Sequence, residues 1–434
     1  MGHIINSDRE YSLLQQKLDC NVTGAPDSPL LIKILKYLFS PEDAELARKI
    51  PFSPTSIDEI SENLNIPTDR LNDKMTDMAH RGLVIDIEHE GLRYFALLPV
   101  VIGFFEFTFM RTRNDLPLPE LARLFHEYME MEDKFAPSVF QGKTQLGRSL
   151  VHEEALPEDS HTEILDWEKA SHIIKTASAV AVSLCACRHT ARHLERACER
   201  ELRTCLSFNY AAETVIRNGF AEKITTNEAM KILEYSKQAG MCQTGDNVQK
   251  NVTFICNCCG CCCGMINAIK TFNIKNAIVT SNWIMEVDLT KCKGCGMCAK
   301  ICPVNAIEIK QQEQNNKHKF AVRDESLCLG CGVCHSACKF GGITIKPRGA
   351  RVFTPETIFD RIVSMAIERG KLTNLIFDNP EKLSHRALGK IIGALEKSSP
   401  FKASMAIKPL HSAFLKSIVK EAKKKCGKIS ELME

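Results

Sequence analysis

Two runs of cysteine dominate the chemistry this chain can do. One reads Cys292-x2-Cys295-x2-Cys298-x3-Cys302-Pro303 and the other Cys328-x2-Cys331-x2-Cys334-x3-Cys338. The copies are offset by 36 residues, and the offset extends beyond the sulfurs. Asp288 matches Asp324, Gly294 and Gly296 match Gly330 and Gly332, and Ile307 and Ile309 match Ile343 and Ile345. An iron–sulfur cubane needs four thiolates converging on its irons. Cys-x2-Cys-x2-Cys wraps three around one cluster, and the intervening glycines let backbone N–H groups approach the sulfides. The fourth cysteine sits too far along to close on its own cluster, so it ligates the other one. This assigns Cys292, Cys295, Cys298 and Cys338 to one 4Fe–4S cluster, and Cys328, Cys331, Cys334 and Cys302 to a second. Zinc sites more commonly carry two separated cysteine pairs than three evenly spaced cysteines and a fourth.

Eleven further cysteines lie between Leu184 and Gly264. Cys185, Cys187, Cys198 and Cys205 form one group, and Cys242 is isolated. Cys256, Cys258, Cys259, Cys261, Cys262 and Cys263 form a dense second group. Adjacent cysteines on an extended chain point in different directions, so one tight block does not easily supply every ligand of one cubane. Ligands pooled from both groups would hold one or two additional iron–sulfur clusters. Structural zinc, or ordinary buried thiols, is the competing reading. His189 and His193 read as surface residues rather than ligands. Arg188, Arg192, Arg196, Arg200 and Arg203 would offset the negative charge of a thiolate cluster, or are simply a solvated helix face.

The elements that position these residues read as an α+β multidomain chain. Residues 1–29 are a polar arm. Residues 30–112 read as a winged-helix-like domain: helices from 30 and from 41, a capping-box spacing of Ser56 and Glu59, a helix capped by Thr68 and ended by Gly82, then a hairpin turning at Glu90-Gly91. Its third helix carries Asp69, Asp73 and Asp77 beside Arg70, Lys74 and Arg81, and residues 30–100 hold about 12 acidic against about 8 basic side chains. Phosphate would be partly repelled, so a docking module is favoured over DNA binding. The aromatic stretch 103–110 reads as a buried strand or helix, or alternatively a docking surface. Residues 113–180 read as a helical connector without chemistry. Residues 181–285 form the cysteine-rich domain, with strands over 180–184 and 252–255 delivering cysteines at their ends. Residues 286–346 hold the paired clusters, with short strands at 306–309 and 343–345. Residues 347–434 read as a basic helical tail with helices over 355–369 and 382–395. It ends in Lys420, Lys423, Lys424, Lys425 and Lys428. An acidic redox partner or an anionic membrane surface is the functional reading of that charge, a solvated face the plain one.

Composition fits these readings. With 434 residues and a net charge of +3, global charge names no partner, but 21 cysteines stand out. The N-terminus shows no signal-peptide pattern, and the longest apolar run, 95–105, is too short to span a bilayer. A cytoplasmic protein is expected, where clustered thiols serve as metal ligands rather than disulfides.

Residues 286–347 resemble bacterial-type ferredoxins with two 4Fe–4S clusters. Lys339 stands where the first copy has Pro303, and the link from Cys302 to Cys328 is long and polar, with 311–319 expected as a solvated loop. Neither departure removes a ligand. The chain as a whole is similar to iron–sulfur proteins of anaerobic bacteria in which a variable N-terminal region precedes a CxCR segment, a CNCC-type block and a paired-cluster module. That resemblance implies electron transfer in anaerobic redox metabolism, as a carrier or a subunit of an oxidoreductase complex, with a flavoprotein or another redox subunit as partner. No Gly-x-Gly-x-x-Gly fingerprint follows a strand, so no built-in dinucleotide domain is expected. The alternatives are an oxidoreductase whose substrate meets an unusual cluster at 256–263, and a redox-sensing winged-helix regulator.

Overall fold

The computed structural model describes residues 7–157, 164–311, 319–376, 416–417, 420 and 429–432. Helix and sheet are mixed, an α+β composition, and no described helix is long and apolar enough to cross a membrane. The chain forms two compact units: residues 1–144, 217–220 and 356–434, and residues 145–216 and 221–355.

The first unit begins with a correction. Residues 7–29 are not an arm: α1 (Ser7–Asp19) buries Tyr11, Leu14 and Leu18 and packs on α3 (Pro41–Ala47). Their i, i+3, i+7 spacing lines one helix face. Four apolar residues among nine polar ones keep the mean hydropathy low, which hides the pattern. Tyr11 Oη donates to the Phe39 carbonyl at 2.8 Å, and Gln15 Nε2 to that of Ala25 at 2.7 Å. Between α1 and α3 lies α2 (Pro29–Leu38), capped by Ser28, with Pro29 at its first position. Ser40 and Asp43 form a reciprocal capping box on α3.

Next come β1 (Thr55–Ser56), α4 (Ile57–Leu64) capped by Ser56, α5 (Thr68–Arg81), β2 (Val84–His89) and β3 (Leu92–Leu97), the strands in the order β1-β3-β2. Thr68 is not the cap of α5. It is the first helical residue, and its hydroxyl donates to Ser61 Oγ at 3.0 Å instead. The buried Asp43 carboxylate ties α3 to α5 through Lys74 at 2.5 Å and Arg81 at 2.7 Å. Burial pushes its pKa up, but the hydrogen bonds from Lys74 and Arg81 outweigh that and leave it lowered.

In the aromatic stretch, α6 (Phe105–Phe109) sets Phe105 and Phe109 against Phe125 of α7 (Leu118–His126), ring centroids 5.2 and 6.0 Å apart. These rings are core, and α8 (Phe135–Phe140) follows. A helix over Ile358–Glu368 returns to this unit, where Glu368 accepts from the backbone N–H groups of Lys143 and Thr144, both at 2.7 Å. The helix read at 382–395 and Lys423, Lys424, Lys425 and Lys428 lie outside the described residues, while Lys420 is exposed.

The second unit is built on a six-stranded antiparallel sheet in the order β4-β8-β9-β6-β5-β7. Its first strand, β4 (Gly147–Leu150), falls inside the stretch read as helical. All four residues are buried, so no polar–apolar alternation marks the strand. Buried Arg148 stacks on Trp167, its guanidinium carbon 4.8 Å from the ring centroid. In chain order follow α9 (Ala170–Thr176), β5 (Val180–Leu184), α10 (Ala186–His193), β6 (Arg203–Phe208), α11 (Asn209–Arg217), β7 (Glu222–Lys223), α12 (Thr226–Gln238), β8 (Cys242–Asp246), β9 (Phe254–Cys258) and α13 (Gly264–Phe272). The strand expected at 252–255 is β9, shifted two residues on. It carries Cys256 and Cys258 within itself rather than past its end.

The cysteine repeat folds as a repeat. Strand β10 (Trp283–Val287) pairs with β13 (Ile343–Pro347), and β11 (Ile307–Gln311) with β12 (Lys319–Arg323). The ends of the expected 311–319 loop are therefore strand, and its interior, 312–318, lies outside the described residues. Short helices α14 (Met297–Ile301) and α15 (Val333–Ser336) each start after a glycine with positive φ, Gly296 at 79° and Gly332 at 85°. Asp288 and Asp324 both accept at Oδ1 from the N–H two residues on, at 2.9 and 2.8 Å.

Three outcomes follow from this packing. Leu14→Ala should cost the first unit about 2–5 kcal/mol, read as a lower urea midpoint, whereas an arm would give no change. Gly330→Ala should destabilise the second unit, because φ is +70° there and a Cβ would stand 2.0 Å from the Trp283 carbonyl oxygen. An unchanged melting temperature would contradict that approach. Asp43 has a lowered folded pKa, so its contribution is complete above the unfolded value of about 4 and is lost as pH falls through the folded one. Asp43→Asn should flatten that acid limb of the stability curve.

Candidate metal centre

The eight thiols of the repeat fall into two sets of different depth. Cys298 neighbours Cys292 and Cys295, and Cys295 is exposed. Cys302, from the first copy, neighbours Cys328 of the second, and Cys331 and Cys334 each sense both Cys302 and Cys328. Cys328, Cys331 and Cys334 are each 8% exposed. Burial pushes the Cys331 thiol up to about 12, so ionising it requires a cation close by. Cys338 occupies in the second copy the place of Cys302 in the first.

The surroundings suit an iron–sulfur cofactor. Donors are all sulfur. The Ala306 N–H donates to Cys302 Sγ at 3.3 Å and the Ala321 N–H to Cys292 Sγ at 3.5 Å. Gly294 passes so close to β12 that a Cβ would meet the Lys319 carbonyl oxygen at 2.4 Å. The second half is fastened to the sheet. The His152 N–H donates to the Cys331 carbonyl at 2.9 Å, and the Ser281 N–H to that of Leu329 at 2.9 Å. Burial holds the His152 imidazole neutral, its pKa pulled down to about 4.

One end of the six-stranded sheet collects the middle cysteines. Strand register sets Ser183 opposite Cys205, Thr244 opposite Cys256 and Cys242 opposite Cys258. Leu206 pairs Ile255, so Cys205 and Cys256 face each other one step further along the ladder. Cys185 and Cys263 stand at the N-caps of α10 and α13. The thiols touch in the line Cys185, Cys187, Cys263, Cys258, Cys256, Cys205. The Ser183 and Thr244 hydroxyls lie beside Cys205 and Cys258, and the Gly264 N–H donates to Cys187. Cys185, Cys187, Cys205 and Cys256 are half-buried, and Cys258 and Cys263 are buried. This donor set fits a polynuclear thiolate-bound cofactor.

Cys242 escaped the sequence reading. It is buried against this line, and its neighbours include Cys331, Cys263 and Cys259. No spacing marks it, because its relation to Cys258 exists only in strand register.

A separate group comprises Cys198, Cys259, Cys261 and Cys262, whose sulfurs all lie within 4.8 Å of one another. Cys259 is lowered, first by the Cys262 thiol and then by Arg188, while Cys262 is raised. Both sites draw on both sequence groups. Arg188 lies between them, 0% exposed, donating to the Asn257 carbonyl at 2.9 Å, to Thr204 Oγ1 and toward Cys259 Sγ at 3.8 Å. Arg200 sits beside Cys198, whereas Arg203 is paired with Glu222. His189 is buried rather than superficial, its ring 4.9 Å from that of His193.

Against known proteins, residues 291–342 match the family model of the 4Fe-4S dicluster domain. No curated protein and no solved structure matches the chain. The chain thus carries a 4Fe-4S dicluster domain, which supports an iron–sulfur electron-transfer role.

Proposed function

We propose that this protein is an electron carrier, or the electron-transfer subunit of an oxidoreductase complex, that relays single electrons between the dicluster domain and the interior thiol site. The observation that carries the reading is buried Cys242, whose neighbours include both Cys331 of the dicluster domain and Cys263 of the interior line. In this reading Cys292, Cys295, Cys298 and Cys338 hold one 4Fe–4S cluster. Cys328, Cys331, Cys334 and Cys302 hold the second. Cys185, Cys187, Cys205, Cys256, Cys258 and Cys263 hold the additional iron–sulfur centre. The bound clusters supply reversible one-electron chemistry. The protein's part is to deliver thiolates, direct backbone amides at sulfur and exclude water from the inner sites. A redox partner would dock where the first set meets solvent. There Leu289, Met297 and Phe340 are large exposed apolar residues within three positions in sequence of Cys292, Cys298 and Cys338.

The α2–β3 segment supports a winged-helix-like docking module rather than a DNA reader. Lys74 and Arg81 of α5 are already engaged by Asp43, which leaves less positive charge for phosphate. Duplex DNA at low salt should therefore bind weakly or not at all in an electrophoretic mobility assay. Micromolar binding that falls steeply with salt would instead favour a redox-sensing regulator.

The central test is anaerobic purification followed by iron and sulfide analysis and EPR after dithionite reduction. About eight irons in two interacting cubanes are expected from the dicluster domain, with more from the interior site. Cys205→Ala with Cys256→Ala should remove only the latter. A fully reconstituted sample without iron would end the proposal.

A further inference from the structure

The group formed by Cys198, Cys259, Cys261 and Cys262 is too tight for a cubane. Cys198 Sγ stands 3.8 Å from Cys259 Sγ, and Cys261 Sγ stands 3.6 Å from Cys262 Sγ. Four thiolates around one tetrahedral ion, each at about 2.3 Å, are separated by about 3.8 Å. Thiolates on a cubane bind four different irons and stand about 6 Å apart. Among the described residues this is the one group of three or more cysteine, histidine or carboxylate ligand atoms lying mutually within 4.8 Å, and no thiol of the dicluster domain belongs to such a group.

We propose that these four cysteines hold a single zinc ion in a closed tetrathiolate site, separate from every iron–sulfur centre of the chain. Three independent features agree with it. Cys259-x2-Cys262 has the spacing of a zinc knuckle, with Gly260 at its turn and Cys198 brought in from the loop after α10. Charge agrees as well. A tetrathiolate zinc site carries two net negative charges, and two guanidiniums attend it, Arg188 toward Cys259 and Arg200 beside Cys198. Arg188 is wholly buried and, among the described residues, no carboxylate touches its guanidinium. A buried cation is tolerated only beside an anion, and thiolates are the anions present. Finally, zinc outranks ferrous iron for such a site in the divalent-metal order, and its filled d shell accepts any closed tetrahedron.

Zinc does not change oxidation state, so the site is a fastening and not a redox station. The loop it closes starts directly after Cys258 and ends directly before Cys263, two thiols of the interior line. A Cβ on Gly260 would stand 2.7 Å from the Pro303 carbonyl oxygen, so the same loop also lies against the dicluster domain. Pinning it sets the positions of both neighbours.

The inference rests on the proposed function only in taking the iron to lie elsewhere. The test uses the full chain, purified without oxygen. Elemental analysis should give about one zinc per chain in addition to the iron, and zinc K-edge absorption should fit four sulfurs at about 2.3 Å. Cys262→Ala should lose that zinc. Wild-type protein without zinc, zinc ligated by nitrogen or oxygen, or a Cys262→Ala chain that keeps its zinc or loses about four irons instead would each overturn the proposal. So would a mononuclear ferric signal in the oxidised protein that disappears in Cys262→Ala. The absorption measurement on wild-type protein stands even if the variant does not fold. Absence of dicluster EPR signals would count against the electron-transfer reading alone and leave the zinc result intact.

Discussion

Thiolate charge confined in a low-dielectric interior is the constraint around which the second unit is arranged. Seven thiols gather at one end of the six-stranded sheet, and burial by itself would keep them protonated. Sulfur in that setting needs metal, hydrogen-bond donors or a cation at contact distance. The fold supplies the last two: the Gly264 N–H, and the Arg188 guanidinium held in place by Thr204 and Asn257. Asn257 in turn donates to the Thr204 carbonyl at 2.8 Å, so both oxygen partners that orient the guanidinium belong to β6 and β9. The strands are thus a scaffold for one cation as much as for the sulfurs. Their antiparallel register makes that possible, because it brings residues tens of positions apart into single rungs.

What could be read from sequence follows from how local each constraint is. The dicluster repeat was legible because three cysteines of each copy fall within seven consecutive residues and the loop glycines repeat with them. The helices capped by Ser40 and Ser56 were legible for the same reason, a cap being decided within four residues. Cys242 was not legible, since only pairing with β9 gives it a role. The division of eleven cysteines into an extended line and a compact quartet was equally hidden. Cys261, Cys262 and Cys263 are consecutive, yet Cys263 belongs to the line and the other two to the quartet. Helix α1 and strand β4 were misread for opposite reasons, the first too polar on average and the second buried on both faces with no alternation to detect.

The two copies of the repeat have diverged in surroundings more than in sequence. Both keep the aspartate turn, the positive-φ glycines and the short helix. The second is covered by the segment around His152 and by Ser281, fixed through the Cys331 and Leu329 carbonyls. A Cβ on Gly332 would lie 3.0 Å from that of Ala155, a clearance that leaves no room for solvent there. In the first copy, Cys295 reaches the surface.

This difference in cover has a bearing on wear. Peroxide and oxygen arrive from solvent, and sulfur oxidation proceeds fastest at accessible sites, moving from the reversible sulfenic acid to irreversible products. Cys295 and Cys261 are the exposed thiols of the second unit, while Cys328, Cys331 and Cys334 lie behind packed backbone. Chemical damage therefore begins at the rim, and the interior sulfurs are the last to be reached.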